Sequence, residues 1–121
     1  MPEKTIRQQR GRWGEDFACA YLERQGLRLI SRNYSSRYGE IDLIMQQQQI
    51  LVFVEVRYRR SASHGSSAES VNFRKQQKII LTAQEYLQTL SEMPMCRFDV
   101  LAIMGSMQAA TAEWIQDAFQ A

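Results

Sequence analysis

A chain of 121 residues with 45% hydrophobic content has room for one domain with a real core, and not for two. Two cysteines without CxxC spacing and a single histidine, His64, exclude a zinc site and point to a reducing compartment. The net charge of +2 is unevenly spread: residues 1–78 carry 14 Lys and Arg against 8 Asp and Glu, and residues 79–121 carry 1 against 5. The basic part suits either a phosphate backbone or a set of solvated helix faces, and charge alone leaves both open.

In chain order, Trp13, Phe17, Ala20 and Tyr21 recur at helical spacing from Arg7 to Gln25, with Ala18 and Leu22 as a second stripe and Gly26 as a stop. Leu27 to Ile30, with Tyr34, reads as an extended segment leading to a turn around Ser35, Ser36 and Arg37. Glu40 to Met45 and Ile50 to Tyr58 are apolar, β-branched runs joined by Gln46 to Gln49, which predicts a β-hairpin. The second run is apolar on both faces, as a central strand should be. Arg60 to Ser70 has no periodicity and is rich in serine, so a mobile loop is expected there. Phe73 to Leu90 reads as an amphipathic helix ended ahead of Pro94, Phe98 to Met104 as a buried strand, and Glu113 to Phe119 as a last strand or helix. The order predicts an α/β fold with a mixed central β-sheet flanked by helices.

Three acids stand where acids are scarce. Glu40, Asp42 and Glu55 lie on the two apolar strands of the hairpin. A turn centred on the middle of the glutamine run sets Asp42 opposite Phe53 and Glu40 opposite Glu55, all on one face with Arg57. Like charges at that spacing repel, and a divalent cation taking carboxylate oxygens relieves them; solvated acids at exposed strand ends are the alternative. Glu15 falls on the Ala18 and Leu22 stripe of the first helix, where it needs a partner such as Arg12 or Arg37.

The same residues carry a pattern. Gly11-Arg-Trp-Gly-Glu-Asp-Phe-Ala, then Gly39-Glu-Ile-Asp-Leu-Ile, then Val52-Phe-Val-Glu-Val-Arg-Tyr-Arg, then Lys75, then Arg97-Phe-Asp-Val resemble the YraN family of small bacterial proteins, from about Gly11 to Phe119. That family is similar to archaeal Holliday-junction resolvases, which implies a restriction-endonuclease-like, three-layer domain and a PD-(D/E)xK type of site. The resemblance implies that Asp42 and Glu55 are metal-binding acids, with the Val56 carbonyl as a further ligand and Glu15 beside the metal. Arg57 stands where the motif carries lysine; it stabilises charge but, as a guanidinium that keeps its proton, does not serve as a base. The implied cofactor is Mg²⁺ or Mn²⁺. Arg59, Arg60, Arg74 and Lys75 are the expected backbone-holding residues, and a solvated helix lysine is the alternative for Lys75.

The implied activity is metal-dependent phosphodiester hydrolysis in DNA, branched or structured; a non-catalytic nucleic-acid-binding or partner-binding module is the competing expectation. A homodimer is compatible with either. No stretch approaches the ~18 apolar residues of a membrane span and the N-terminus lacks a signal-peptide core, so a cytoplasmic protein with no membrane partner is expected.

Overall fold

The computed structural model describes residues 6–59 and 71–121, with side chains from residue 11 to 58 and from 71 onward. The expected loop over residues 60–70, with Arg60 and His64, lies outside them, and so does the Arg59 side chain. Helix α1 (Ile6–Arg24) is followed by strands β1 (Arg28–Ser35), β2 (Glu40–Gln47) and β3 (Ile50–Arg59). Helix α2 (Phe73–Leu87) leads to β4 (Met95–Met104) and β5 (Thr111–Phe119). The last element is therefore a strand.

The five strands form one sheet in sequence order, β1-β2-β3-β4-β5. Neighbours run antiparallel except β3 and β4, which are parallel because α2 carries the chain back between them. Strand β3 is central and buried from Leu51 to Glu55, in line with its unbroken apolar run. One face packs Ile79, Ile80 and Ala83 of α2 against Ile44, Phe53 and Phe98. The other packs Ala18, Cys19 and Leu22 of α1 against Met45, Val52, Val54 and Leu101. The fold is thus α/β, a mixed sheet between two helices.

Local chemistry explains the boundaries. Gly26 takes a φ of 97° after α1, and its amide and that of Leu27 bond back to Glu23 and Leu22, closing the helix with a left-handed residue. The Ala18 and Leu22 stripe is the one fully buried, and Trp13, Phe17 and Tyr21 flank it. Asn72 caps α2, its side-chain oxygen accepting from the Lys75 amide at 2.8 Å.

The hairpin register differs from the expectation by two residues. Gln46 and Gln47 extend β2, so the turn is Gln48 and Gln49 alone, and the ladder runs from Gln47↔Ile50 to Leu43↔Val54. Phe53 therefore pairs with Ile44, not Asp42, and Glu40 does not lie opposite Glu55. Side-chain bonding fixes this choice. Gln46 donates to the Gln48 carbonyl at 2.8 Å and accepts from Arg28 at 2.8 Å, holding Gln48 at a φ of 54°. The paired ladder ends at Leu43↔Val54, short of the acids, and alternation breaks there, with Ile41 and Ile44 in one core and Leu43 in the other.

Asp99 on β4 shows how this sheet buries a carboxylate safely. It is fully buried, and Arg97 grips it with Nε at 2.9 Å and Nη2 at 3.1 Å. Trp114 Nε1 donates at 2.8 Å and the Asp117 amide at 2.9 Å, where β5 bulges and Asp117 takes a φ of 53°. Its acceptor capacity is filled, so its role is structural. Asp99→Ala, which leaves Arg97 and the Asp117 amide without their acceptor, should cost about 3 kcal/mol in urea unfolding. A cost below about 1 kcal/mol would show that the network does not hold the β4–β5 bulge.

Candidate functional site

Beyond Leu43↔Val54 the β2–β3 ladder gives way to side-chain bonding: the Val56 amide donates to Asp42 Oδ2 at 2.8 Å. That contact draws Asp42 inward over the end of the central strand, beside buried Glu55. Burial, then the hydrogen bond and charge of Glu55, push the Asp42 carboxyl from its ordinary 3.8 up to about 8, opposed by the Val56 amide and the Lys75 charge.

Glu15 arrives from α1. Its oxygen accepts from Asn33 Nδ2 at 3.1 Å, so the partner is neither Arg12 nor Arg37. Burial raises its carboxyl, with Asp42 and Glu40 adding to the shift and the Asn33 bond opposing it. Asn33 reaches Glu15 from a left-handed φ of 54° on strand β1. Each of Glu15, Glu40 and Asp42 offers an oxygen, and these lie within 4.8 Å of one another. Three hard oxygen donors around one point are the kind of set that suits Mg²⁺ or Mn²⁺.

Glu55 stands apart from that trio: its Oε2 faces Lys75 Nζ at 3.5 Å. Lys75 sits in the first turn of α2, where a positive charge opposes the helix dipole, and the buried carboxylate offsets that cost. It is an ion-paired residue of the acidic site, not a freely solvated helix lysine. Val56 meets the acids through its N–H. Arg57 lines a recess of about 240 Å³ together with Gly14, Glu15, Asp42, Glu55 and Lys75. Arg74 is exposed on the rim of a neighbouring cleft of about 440 Å³ that also opens onto Asp42 and Glu55. Arg59 ends β3, and Arg60 is outside the described residues.

Glu40 is a candidate ligand that the sequence placed on the right face without marking it as one. Asn33, Tyr38 and Lys78 had no part in the expected site, and the last two line the larger cleft. Asn33 had a signal, an asparagine inside a strand pattern. Lys78 had none beyond its spacing from Arg74.

The sequence profile of the family described as "Uncharacterised protein family UPF0102" matches residues 14–103. A UPF0102 protein of Psychromonas ingrahamii is 52% identical over 111 residues, 92% of this chain and 89% of that protein. One from Pseudomonas syringae pv. syringae is 49% identical over 120 residues, covering 97% and 98%. One from Methylobacillus flagellatus is 50% identical over 107 residues, covering 88% and 93%. The profile spans every acid of the site, from Glu15 to Glu55, and Lys75 as well.

The raised Asp42 carboxyl has a consequence for stability. A group that holds its proton more tightly when folded contributes stability that is complete below its unfolded pKa, near 3.8, and is lost as pH rises toward about 8. In chelator, the melting temperature should fall by about 5 °C or more between pH 5 and pH 8. Asp42→Asn should flatten most of that slope, leaving a smaller contribution of the same sign from Glu15. An equal slope in wild type and Asp42→Asn would place the titration elsewhere.

Proposed function

The chain belongs to the UPF0102 family, which is the YraN family of the sequence resemblance, and from that premise we propose a divalent-cation-dependent nuclease of restriction-endonuclease-like type that hydrolyses phosphodiester bonds in DNA. One observation carries this reading: three carboxylate oxygens within 4.8 Å of one another, beside a buried acid gripped by a lysine. The structural acid Asp99 has the Arg97 guanidinium directly against it, whereas Asp42 lies beside a second carboxylate, Glu55.

Asp42, Glu15 and Glu40 would hold Mg²⁺ or Mn²⁺, with Glu55 next to Asp42 and the Val56 carbonyl as further candidates. The cation supplies Lewis-acid stabilisation of phosphoryl charge and a more acidic water. The residues do the rest. The Val56 amide fixes the Asp42 carboxylate, and the Asn33 amide fixes Glu15, so the acids are set before substrate arrives. In hydrolysis, a water oxygen bonds to phosphorus as one ester P–O bond breaks; the water loses one proton and the departing alkoxide gains one. Lys75, whose ammonium lies 3.5 Å from Glu55, is the group we assign to orient the water and to give the departing alkoxide its proton, the water's own proton passing to solvent. Arg57, on the wall of the recess, stabilises the charge that builds on the phosphoryl oxygens.

Mixed β-topology with a helix on each face, acids at the end of the central strand and a long basic segment all support the restriction-endonuclease-like assignment. Arg57 favours a second reading, a nucleic-acid-binding module that keeps this fold without cleaving.

Cleavage of linear, nicked, flapped and four-way-junction DNA separates the two. Wild type should cut at least one substrate in Mg²⁺ or Mn²⁺ and none in chelator, and Asp42→Asn should abolish cutting. Lys75→Ala should lower the rate by ~10²-fold or more, and Lys75→Arg should not restore it, because a guanidinium does not give up its proton to the alkoxide. DNA bound but uncut on every substrate, at the level of an Asp42→Asn preparation made in parallel, would leave the binding module standing.

A further inference from the structure

Tyr38 has no structural employment. The chain has five tyrosines, and Tyr21, Tyr34, Tyr58 and Tyr86 all pack against one of the two hydrophobic clusters. Tyr38 belongs to neither, and among the described residues no other aromatic ring pairs with it. Instead it lines the larger cleft, together with Asp42, Glu55, Arg74, Lys75 and Lys78.

The turn that carries it is built firmly. The Ser36 amide donates to the Gly39 carbonyl at 2.8 Å, and the Tyr38 amide donates to Ser36 Oγ at 3.0 Å. That hydroxyl also bonds at 2.8 Å to Thr82 Oγ1, a fully buried group on α2. Gly39 completes the seat: a Cβ there would stand 3.5 Å from the Lys78 Cβ, so the turn lies close against α2. The ring is therefore held at a fixed height above the cationic face of that helix. Arg37 covers it from outside, with its guanidinium carbon 4.9 Å from the ring centre and Nη2 donating to the phenol oxygen at 2.7 Å. Arg37 thus contacts both the ring and its hydroxyl, while Tyr38 also lines the cleft.

We infer, resting on the nuclease reading, that Tyr38 is a stacking platform for one unpaired base, so that the site takes a strand with an extruded or single-stranded nucleotide next to the phosphate at Asp42. The parts match what a nucleotide offers. Arg74 and Lys78, one helical turn apart, track its phosphodiester, while Tyr38 receives its base; every base has a π-face, so this contact selects unpaired structure and not sequence. The cleft, about 440 Å³, is of the size that takes a single small ligand, which fits one nucleotide turned out of its stack.

The test is fluorescence anisotropy of the full chain in Ca²⁺, with a labelled single strand of about 16 thymidines, the same strand with abasic sites, and a blunt duplex. Tyr38→Ala should weaken binding of the intact single strand about tenfold or more, leave the duplex unchanged and leave the salt slope unchanged. Tyr38→Trp should retain affinity. Lys78→Ala should instead reduce the single-strand salt slope by about 0.7, as loss of one phosphate contact does. The abasic strand should bind wild type about as weakly as the intact strand binds Tyr38→Ala. Since Tyr38 is outside both cores, circular dichroism should show that each variant folds. If Tyr38→Ala binds the single strand normally, or loses affinity equally for intact and abasic strands, the platform is refuted while the nuclease reading stands. If no nucleic acid binds to wild type at all, that reading falls and the platform with it.

Discussion

The hydrogen bond from the Val56 amide to the Asp42 carboxylate is the contact on which the site depends. It replaces strand pairing at the end of the β2–β3 ladder by a side-chain acceptor, and so brings a charged group over the top of the hydrophobic sheet. The same device occurs at Asp99, which accepts the amide of Asp117 in the β5 bulge. The two carboxylates differ in their neighbours. Asp99 has the Arg97 fork and the Trp114 indole to neutralise and saturate it. Asp42 has another carboxylate, Glu55, as its nearest neighbour and two more, Glu15 and Glu40, close by. Within one small sheet, the first arrangement is a carboxylate closed by its donors and the second is a gathering of carboxylates.

That gathering is met by its surroundings. Lys75 is held in an unfavourable first-turn position by its pairing with Glu55 and supplies one positive charge from α2. Asn33 adopts a left-handed backbone on an edge strand to give Glu15 a neutral donor and not a cation. Burial, and after it the neighbouring acids, raises the Asp42 and Glu15 carboxyls. A proton relieves the crowding in part; a hard divalent cation relieves it at all three acids.

The chain's periodicities exposed most of the fold, because each element is long and buries one consistent set of residues. The buried run of β3 and the apolar stripe of α2 around Ile79, Ile80 and Ala83 are examples. The hairpin register was not legible. Four identical glutamines give no pattern to choose between turn positions, and the choice rests on Gln46 bonding to Arg28 and to the Gln48 carbonyl. The last element was ambiguous for another reason: Thr111–Phe119 is an edge strand broken by a bulge, which blurs its alternation. Asp42 and Glu55 stood out as acids on apolar strands, but alternation alone does not gather them, since Ile41 and Ile44 pack into one core and Leu43 into the other, and the Val56 amide bond sets Asp42 in place. Glu15 was found to need a partner, but the partner was Asn33, across a tertiary contact that helical spacing does not report. The role of Lys75 was hidden similarly, since its distance from Glu55 depends on how α2 lies on the sheet.

The central claim is that a divalent cation binds at the end of β2 and β3, and its most direct measurement is paramagnetic broadening of the amide NMR spectrum by substoichiometric Mn²⁺. The account predicts that the amides of Glu15, Glu40, Asp42 and Val56 broaden first, that Gln48 and Met95 at the far end of the sheet stay sharp, and that Asp42→Asn abolishes the effect. Broadening centred on other acids such as Glu113 or Asp117, or unchanged broadening in Asp42→Asn, would contradict it.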